Sequence, residues 1–260
     1  VELSTIAAGS GGFVINGQAL DDYSGRSVSA AGDMNGDGLA DLIVGAMQSD
    51  PLAGESAGRS YVVFGKANTT AVDLAAIASG TGGFVINGKT ADDHSGLSVS
   101  SAGDVNGDGL ADLIIGASLA DPWSGKDAGC SYVVFGKANT TAVDLSAVAV
   151  GSGGFVINGQ TADDNSGIPV SSAGDVNGDG LADLIVGASG ADPAARADAG
   201  RSYVVFGKSS GTAVNLSAVA AGTGGFVING QAVYDYSGIS VSSAGDVNGD
   251  GLADLIVGAQ

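Results

Sequence analysis

The segment GDMNGDGLADLIVGA, residues 32–46, decides the fold. It crowds Asp33, Asn35, Asp37 and Asp41 into nine positions and then runs straight into Leu42-Ile43-Val44. Clustered carboxylates ask for water or a counter-ion, whereas a continuous apolar run asks for cover on both faces. The same words return at 103–117, 174–188 and 245–259, so whatever resolves the conflict resolves it four times.

Working outward, FVING begins at Phe13, Phe84, Phe155 and Phe226, and both series of words step by 71 residues. SYVVFGK occurs three times, at Ser60, Ser131 and Ser202, so three whole periods are followed by a copy without its tail. Each period holds four short strand candidates, in the first copy 27–33, 41–46, 60–65 and 83–88. All are rich in Val, Ile, Phe or Tyr and bounded by turn residues. The segment 70–80 predicts a short helical turn, with Asp73 as N-cap and Gly80 as its stop.

Four short antiparallel strands per unit, repeated and covered on both faces, predict an all-β chain, a β-propeller. Solenoid repeats are usually shorter, about 20–45 residues. The expected organisation is one repeat domain of about four blades, the last incomplete: 26–96, 97–167 and 168–238 as blades 1 to 3, and 239–260 as the first two strands of a closing blade. Residues 1–25 would supply that blade's fourth strand and the loop after it.

The chain has 260 residues, 44% of them hydrophobic, which excludes a disordered acidic chain. A formal charge of −19 with nine Lys plus Arg disfavours nucleic acid and anionic membrane surfaces and favours cations. No apolar run is long enough to span a membrane and no signal peptide is read; a start at Val1 suggests a mature or excised piece. Cys130, the one cysteine, stands where two other copies have Arg59 and Arg201, and reads as a small residue at a strand edge.

In the first acidic loop, Asp33, Asn35 and Asp37 occupy positions 1, 3 and 5, Gly38 position 6, Leu39 position 7 and Asp41 position 9. Oxygen ligands at 1, 3, 5 and 9 with a backbone carbonyl at 7 are how an EF-hand loop wraps calcium. Position 12 is Val44 instead of a bidentate Glu, so this is a calcium loop between strands and not an EF-hand. Hard oxygens without His or Cys favour Ca²⁺ over zinc or copper, and Mg²⁺ is the lesser candidate. The set recurs as Asp104, Asn106, Asp108, Leu110 and Asp112; as Asp175, Asn177, Asp179, Leu181 and Asp183; and as Asp246, Asn248, Asp250, Leu252 and Asp254. About four Ca²⁺ are expected, which would bring the formal charge from −19 to −11.

The stretch YSGRSVSAAGDMNGDGLADLIVGA, 23–46, resembles the FG-GAP repeats of integrin α-subunit propellers and their bacterial relatives. The resemblance covers all four copies. It implies a propeller that binds Ca²⁺ through these loop positions, and an extracellular or cell-surface setting. It also implies that the N-terminal strand completes the blade begun by the C-terminal ones. Fewer than four blades against the family's seven suggest a fragment, an open arc, or a ring completed by another chain.

The loops joining strands 2–3 and 4–1 differ most between copies and should share the face opposite the acidic loops. Tyr23, His94, Trp123, Tyr234 and Tyr236 there are the candidate ligand contacts. His94 is the only histidine, replaced by Tyr23, Asn165 and Tyr236 in the other copies, and no nucleophile motif accompanies it, so no catalysis is expected. The paired acids Asp21-Asp22, Asp92-Asp93 and Asp163-Asp164 recur, which suits turns or extra cation contacts better than a catalytic pair. The expected function is a non-catalytic, calcium-stabilised module for adhesion or recognition of a protein or polysaccharide. The alternatives are an assembly module that self-associates through its incomplete blade, or an accessory domain of a larger secreted hydrolase.

Overall fold

The computed structural model describes residues 2–260 and places strands where the apolar runs predict them. In blade 1 they are Val28–Gly32, Asp41–Ala46, Arg59–Val63 and Gly83–Asn87, each antiparallel to the next. Blades 2 and 3 repeat this with Ser98–Gly103, Asp112–Ala117, Cys130–Val134 and Gly154–Asn158, then Val170–Gly174, Asp183–Ala188, Arg201–Val205 and Gly225–Asn229. The fourth copy contributes Ser240–Gly245 paired with Asp254–Gly258. The four first strands stand side by side, so the blades fan around a common inner edge as an open arc of a propeller.

Second strands are covered on both faces, as their unbroken apolar runs require. Every residue of Asp112–Ala117 and of Asp183–Ala188 is buried. The core lies between blades: Ile43, Val62 and Phe84 of blade 1 pack with Leu113, Ile115 and Tyr132 of blade 2. Leu184, Val186 and Tyr203 of blade 3 meet Ile114, Val133 and Phe155 of blade 2 in the same way. A main-chain rivet recurs at each junction, from the N–H of Ala111, Ala182 and Ala253 to the carbonyl of Asp33, Asp104 and Asp175, at 2.9–3.0 Å. Where the arc stops, cover stops too. Ile256 is 61% exposed, whereas its counterparts Ile43, Ile114 and Ile185 are fully buried.

Two features depart from the expectation. A two-residue strand precedes the helical turns at 74–78, 145–148 and 216–220 and pairs parallel with the fourth strand of the preceding unit. Val143–Asp144 thereby extends the blade 1 sheet and Val214–Asn215 the blade 2 sheet to five strands. The N-terminal strand Ile15–Asn16 pairs in this manner with Val72–Asp73, while Ser240–Gly245 and Asp254–Gly258 stand as a two-stranded sheet, so the implied closure of the N-terminal strand onto the C-terminal ones is not formed. The helical turn itself spans Leu74–Ala78, buries Leu74 and Ile77, and has Asp73 at its N-cap position without a capping side-chain bond. Asp73 is engaged elsewhere, accepting from Asn16 Nδ2 at 2.7 Å; Asn87 and Asp144 make the same latch at 2.9 Å. Among the described residues no helix is long and apolar enough to cross a membrane.

Close packing at the inner edge sets a hard limit at Gly116. A Cβ there would lie 1.9 Å from the Gly167 carbonyl oxygen, a main-chain atom. Gly109, in the acidic loop, has φ +87° but open space around it. Gly116→Ala should therefore cost on the order of 3 kcal/mol, and Gly109→Ala about 1–2 kcal/mol from its left-handed backbone alone. Urea unfolding of the two variants measures the gap; equal losses would contradict this account of the inner edge.

Candidate functional site

The acidic loop joins strands 1 and 2 of each blade, and its first carboxylate organises it. Asp33 Oδ1 accepts from the N–H groups of Gly36 and Asp37 at 2.8 and 3.1 Å, and Oδ2 from Gly38 at 2.9 Å. Asn35 Oδ1 accepts from the Asp37 N–H and Asp37 Oδ1 from the Leu39 N–H, both at 2.8 Å. The loops of Asp104, Asp175 and Asp246 repeat the Asp33 bonds at 2.7–3.2 Å. Positions 1, 3 and 5 thus lie on one tight turn whose main-chain N–H groups their oxygens accept from.

Position 9 does different work. Asp41 heads the second strand, fully buried, and accepts from the N–H of Met34 at 2.9 Å and of Gly65 at 2.7 Å. Asp112 and Asp183 take the equivalent bonds from Val105 and Gly136, and from Val176 and Gly207. Each of these carboxylates brackets the acidic loop, the second strand and the exit of the third. Asp254 keeps the loop bond from Val247 at 2.8 Å but is only partly buried. Burial pushes Asp41 and Asp183 above the usual carboxylate range and Asp112 up to about 7, against the lowering effect of the two N–H donors. Among the described residues no three carboxylate, imidazole or thiol groups converge as a cage; within the loop, Asn35 Nδ2 donates to Asp37 Oδ2 at 3.1 Å.

The opposite face carries the variable loops, as the strand alternation predicts. They are tied to one another through main chain: the N–H of Asp92, His94 and Ser95 donates to the carbonyl of Glu55, Ser56 and Ala57 at 2.9–3.1 Å. Asp163, Asn165 and Ser166, then Tyr234, Tyr236 and Ser237, repeat this on the next two loops. Tyr23, His94 and Tyr236 all occupy left-handed backbone, φ 53°, 53° and 47°, so their position is first of all a turn position. Tyr234 and Tyr236 stack loosely, ring centroids 6.3 Å apart, and Tyr23 and Tyr234 are exposed. Trp123 lines a cavity together with Asp92, Asp93 and Cys130.

The FG-GAP repeat model matches residues 24–63, 95–134, 169–205 and 237–260, which is more than half of the chain. The chain belongs to the FG-GAP repeat family. It is 30% identical over 246 residues to integrin alpha-V of Gallus gallus and 28% identical over 243 residues to integrin alpha-PS2 of Drosophila melanogaster, each match covering 92% of this chain. With integrin alpha-11 of Homo sapiens it shares 31% over 195 residues, 68% of the chain. The matches span 20%, 15% and 13% of those relatives' own lengths. This FG-GAP chain is thus an integrin-α-like propeller segment.

Removing the bracket leaves two N–H groups without acceptors. Asp112→Ala should lower stability by roughly 2 kcal/mol or more, with Asp112→Asn intermediate because one acceptor oxygen remains. Chemical denaturation of both variants tests this order.

Two carboxyls of the variable face set a pH dependence. Burial pushes Asp93 and Asp164 up to about 6 from 3.8. Between those values the folded chain holds protons that the unfolded chain has released, so this contribution to stability falls as pH rises from about 4 through 6. Asp93→Asn with Asp164→Asn should flatten the pH profile of the melting temperature in that window; an unchanged slope would contradict the burial argument.

Proposed function

We propose that this FG-GAP chain is a non-catalytic, calcium-binding propeller module that serves adhesion or recognition outside the cell. The observation that carries the calcium reading is the repeated acidic loop, in which Asp33 is held by three main-chain N–H groups while Asn35 and Asp37 sit on the same turn. All the donors are hard oxygens, suited to Ca²⁺. The residues fit the ion in kind: Asp33, Asn35, Asp37, the Leu39 carbonyl and Asp41 would hold it, and its charge would offset the three carboxylates that each loop carries. Likeness to integrin α chains and the excess of acidic residues support an extracellular, calcium-rich setting.

Recognition is assigned to the face away from the acidic loops. Its loops vary in sequence and present exposed aromatic side chains, whereas the acidic loops are nearly invariant between copies.

Calorimetry in Ca²⁺ and in chelator at matched ionic strength tests the reading. Ca²⁺ should raise the melting temperature by several degrees, and titration should show about four sites. The loop of Asp246 should be the weakest, because Asp254 lacks the strand-3 donor that Asp41, Asp112 and Asp183 possess. Asp104→Ala should delete one site. An unchanged melting temperature would overturn the proposal.

A further inference from the structure

Comparing the repeats with one another isolates one site that the fold does not explain. In blade 1, Arg59 Nε donates to Asn87 Oδ1 at 3.2 Å, and both Arg59 Nη1 and Tyr61 Oη reach Gln18 Oε1, at 3.4 and 2.6 Å. Blade 3 repeats the network: Arg201 Nε to Asn229 at 2.7 Å, with Arg201 Nη1 and Tyr203 Oη each 2.8 Å from Gln160 Oε1. Blade 2 has Cys130 in place of the arginine and Lys89 in place of the glutamine. Positive charge is therefore kept, while the volume of a guanidinium and the glutamine acceptor are lost.

Two consequences are visible. Tyr132, 1% exposed, has a hydroxyl with no hydrogen-bond partner, because blade 2 lacks the glutamine oxygen to which Tyr61 and Tyr203 donate. That hydroxyl faces Cys130 and Asp93, which both line a cavity of about 950 Å³. The blade 3 counterpart, still walled by Arg201 and Gln160, measures about 320 Å³. The Cys130 thiol, pushed up to about 12 by burial, stays protonated and is a wall rather than a nucleophile.

Trp123 stands at the mouth of this cavity, fully exposed, where blades 1 and 3 have Leu52 and Ala194. It also borders a second, smaller cavity of about 260 Å³ with Ser124, Asn158, Asn215 and Ser217. One indole thus separates two polar hollows that share Asn158.

We propose that this paired hollow binds a neutral oligosaccharide, with one sugar in the larger cavity, the chain crossing Trp123 and the next sugar beside Asn158 and Asn215. This rests on the recognition role proposed above and names its ligand class. The flat apolar indole face suits the C–H face of a pyranose. Asp92 and Asp93 accept from sugar hydroxyls, Lys89 donates, and Asn158 and Asn215 do both. Asp92, Asp93, Asp121 and Asp127 outnumber Lys89 and Lys126 in the larger cavity, which disfavours uronate, sulfate and phosphate groups. An extended peptide would want a free strand edge, and the third strand of blade 2 is paired on both sides.

The test is titration calorimetry of the Ca²⁺-loaded chain with maltohexaose, cellohexaose, xylohexaose and chitohexaose, and with a galacturonate hexamer as the anionic control. At least one neutral hexasaccharide should bind, and the galacturonate should not. Trp123→Ala, on a fully exposed side chain, should weaken binding about tenfold or more without changing the melting temperature. Cys130→Arg with Lys89→Gln rebuilds the network of blades 1 and 3 and should abolish binding. Binding unchanged in both variants overturns the site while leaving a recognition role intact. No binding of any neutral sugar at millimolar concentration, or preference for the galacturonate, overturns the ligand class. Loss of the calcium-dependent melting shift would instead strike the proposed function, and it is read in the same samples.

Discussion

A carboxylate cut off from water at the head of the second strand is the constraint on which the blade depends. Asp41, Asp112 and Asp183 are fully buried, and a buried charge is tolerable only when its oxygens are engaged. The two N–H donors come from opposite directions, one from the acidic loop and one from the glycine that ends the third strand. Satisfying the carboxylate therefore fixes the loop, the register of strands 2 and 3, and the point where the chain leaves the sheet. The same loop carries the main-chain rivet to the next blade, so one buried group also sets how blades meet.

Between blades, polar latches and cations finish what the apolar core begins. Lys66, Lys137 and Lys208 lie over the rings of Phe13, Phe84 and Phe155, 4.0–4.4 Å from their centroids, each capping the aromatic side chain of the preceding unit. Burial lowers Lys137 and Lys208 below the usual ammonium range, a cost that contact with the ring face offsets. Beside them, Asn16 to Asp73, Asn87 to Asp144 and Asn158 to Asn215 tie each fourth strand to the unit that follows. Blades are thus joined at the inner edge by main chain and farther out by side chains.

The strands were legible because burial on both faces writes an unbroken apolar run, as in Leu113-Ile114-Ile115, and because glycine and acidic words bound each run. The acidic loop was legible because ligand-like spacing is local in sequence. The two-residue strand at Val72–Asp73 was not, since nothing in two residues marks a partner 57 positions away. Nor was the bracketing role of Asp41, which depends on Gly65 arriving from a different strand. The cavity at Cys130 lay half in view: the missing arginine showed in the alignment of copies, but its tie to Lys89 and Tyr132 needed the cross-strand neighbours.

The two faces of the arc differ in what holds them, and this accounts for where the copies diverge. On the acidic side the loop is shaped by side-chain oxygens, so changing Asp33 or Asp41 removes the acceptors that define its path. On the other side the loops are joined carbonyl to N–H, as from Glu55, Lys126 and Ala197 to Asp92, Asp163 and Tyr234. Those bonds need no particular side chain, and an acidic, a basic and an apolar residue occupy the same accepting position. Where the tie is backbone to backbone, exposed side chains can change without loss of shape; Asp50, Asp121 and Asp192, which accept from the N–H of Ser56, Asp127 and Asp198, are the side chains that stay. Blade 2 has used that freedom to place Trp123 outside and to remove an arginine beneath it, two changes that touch no main-chain bond of the face.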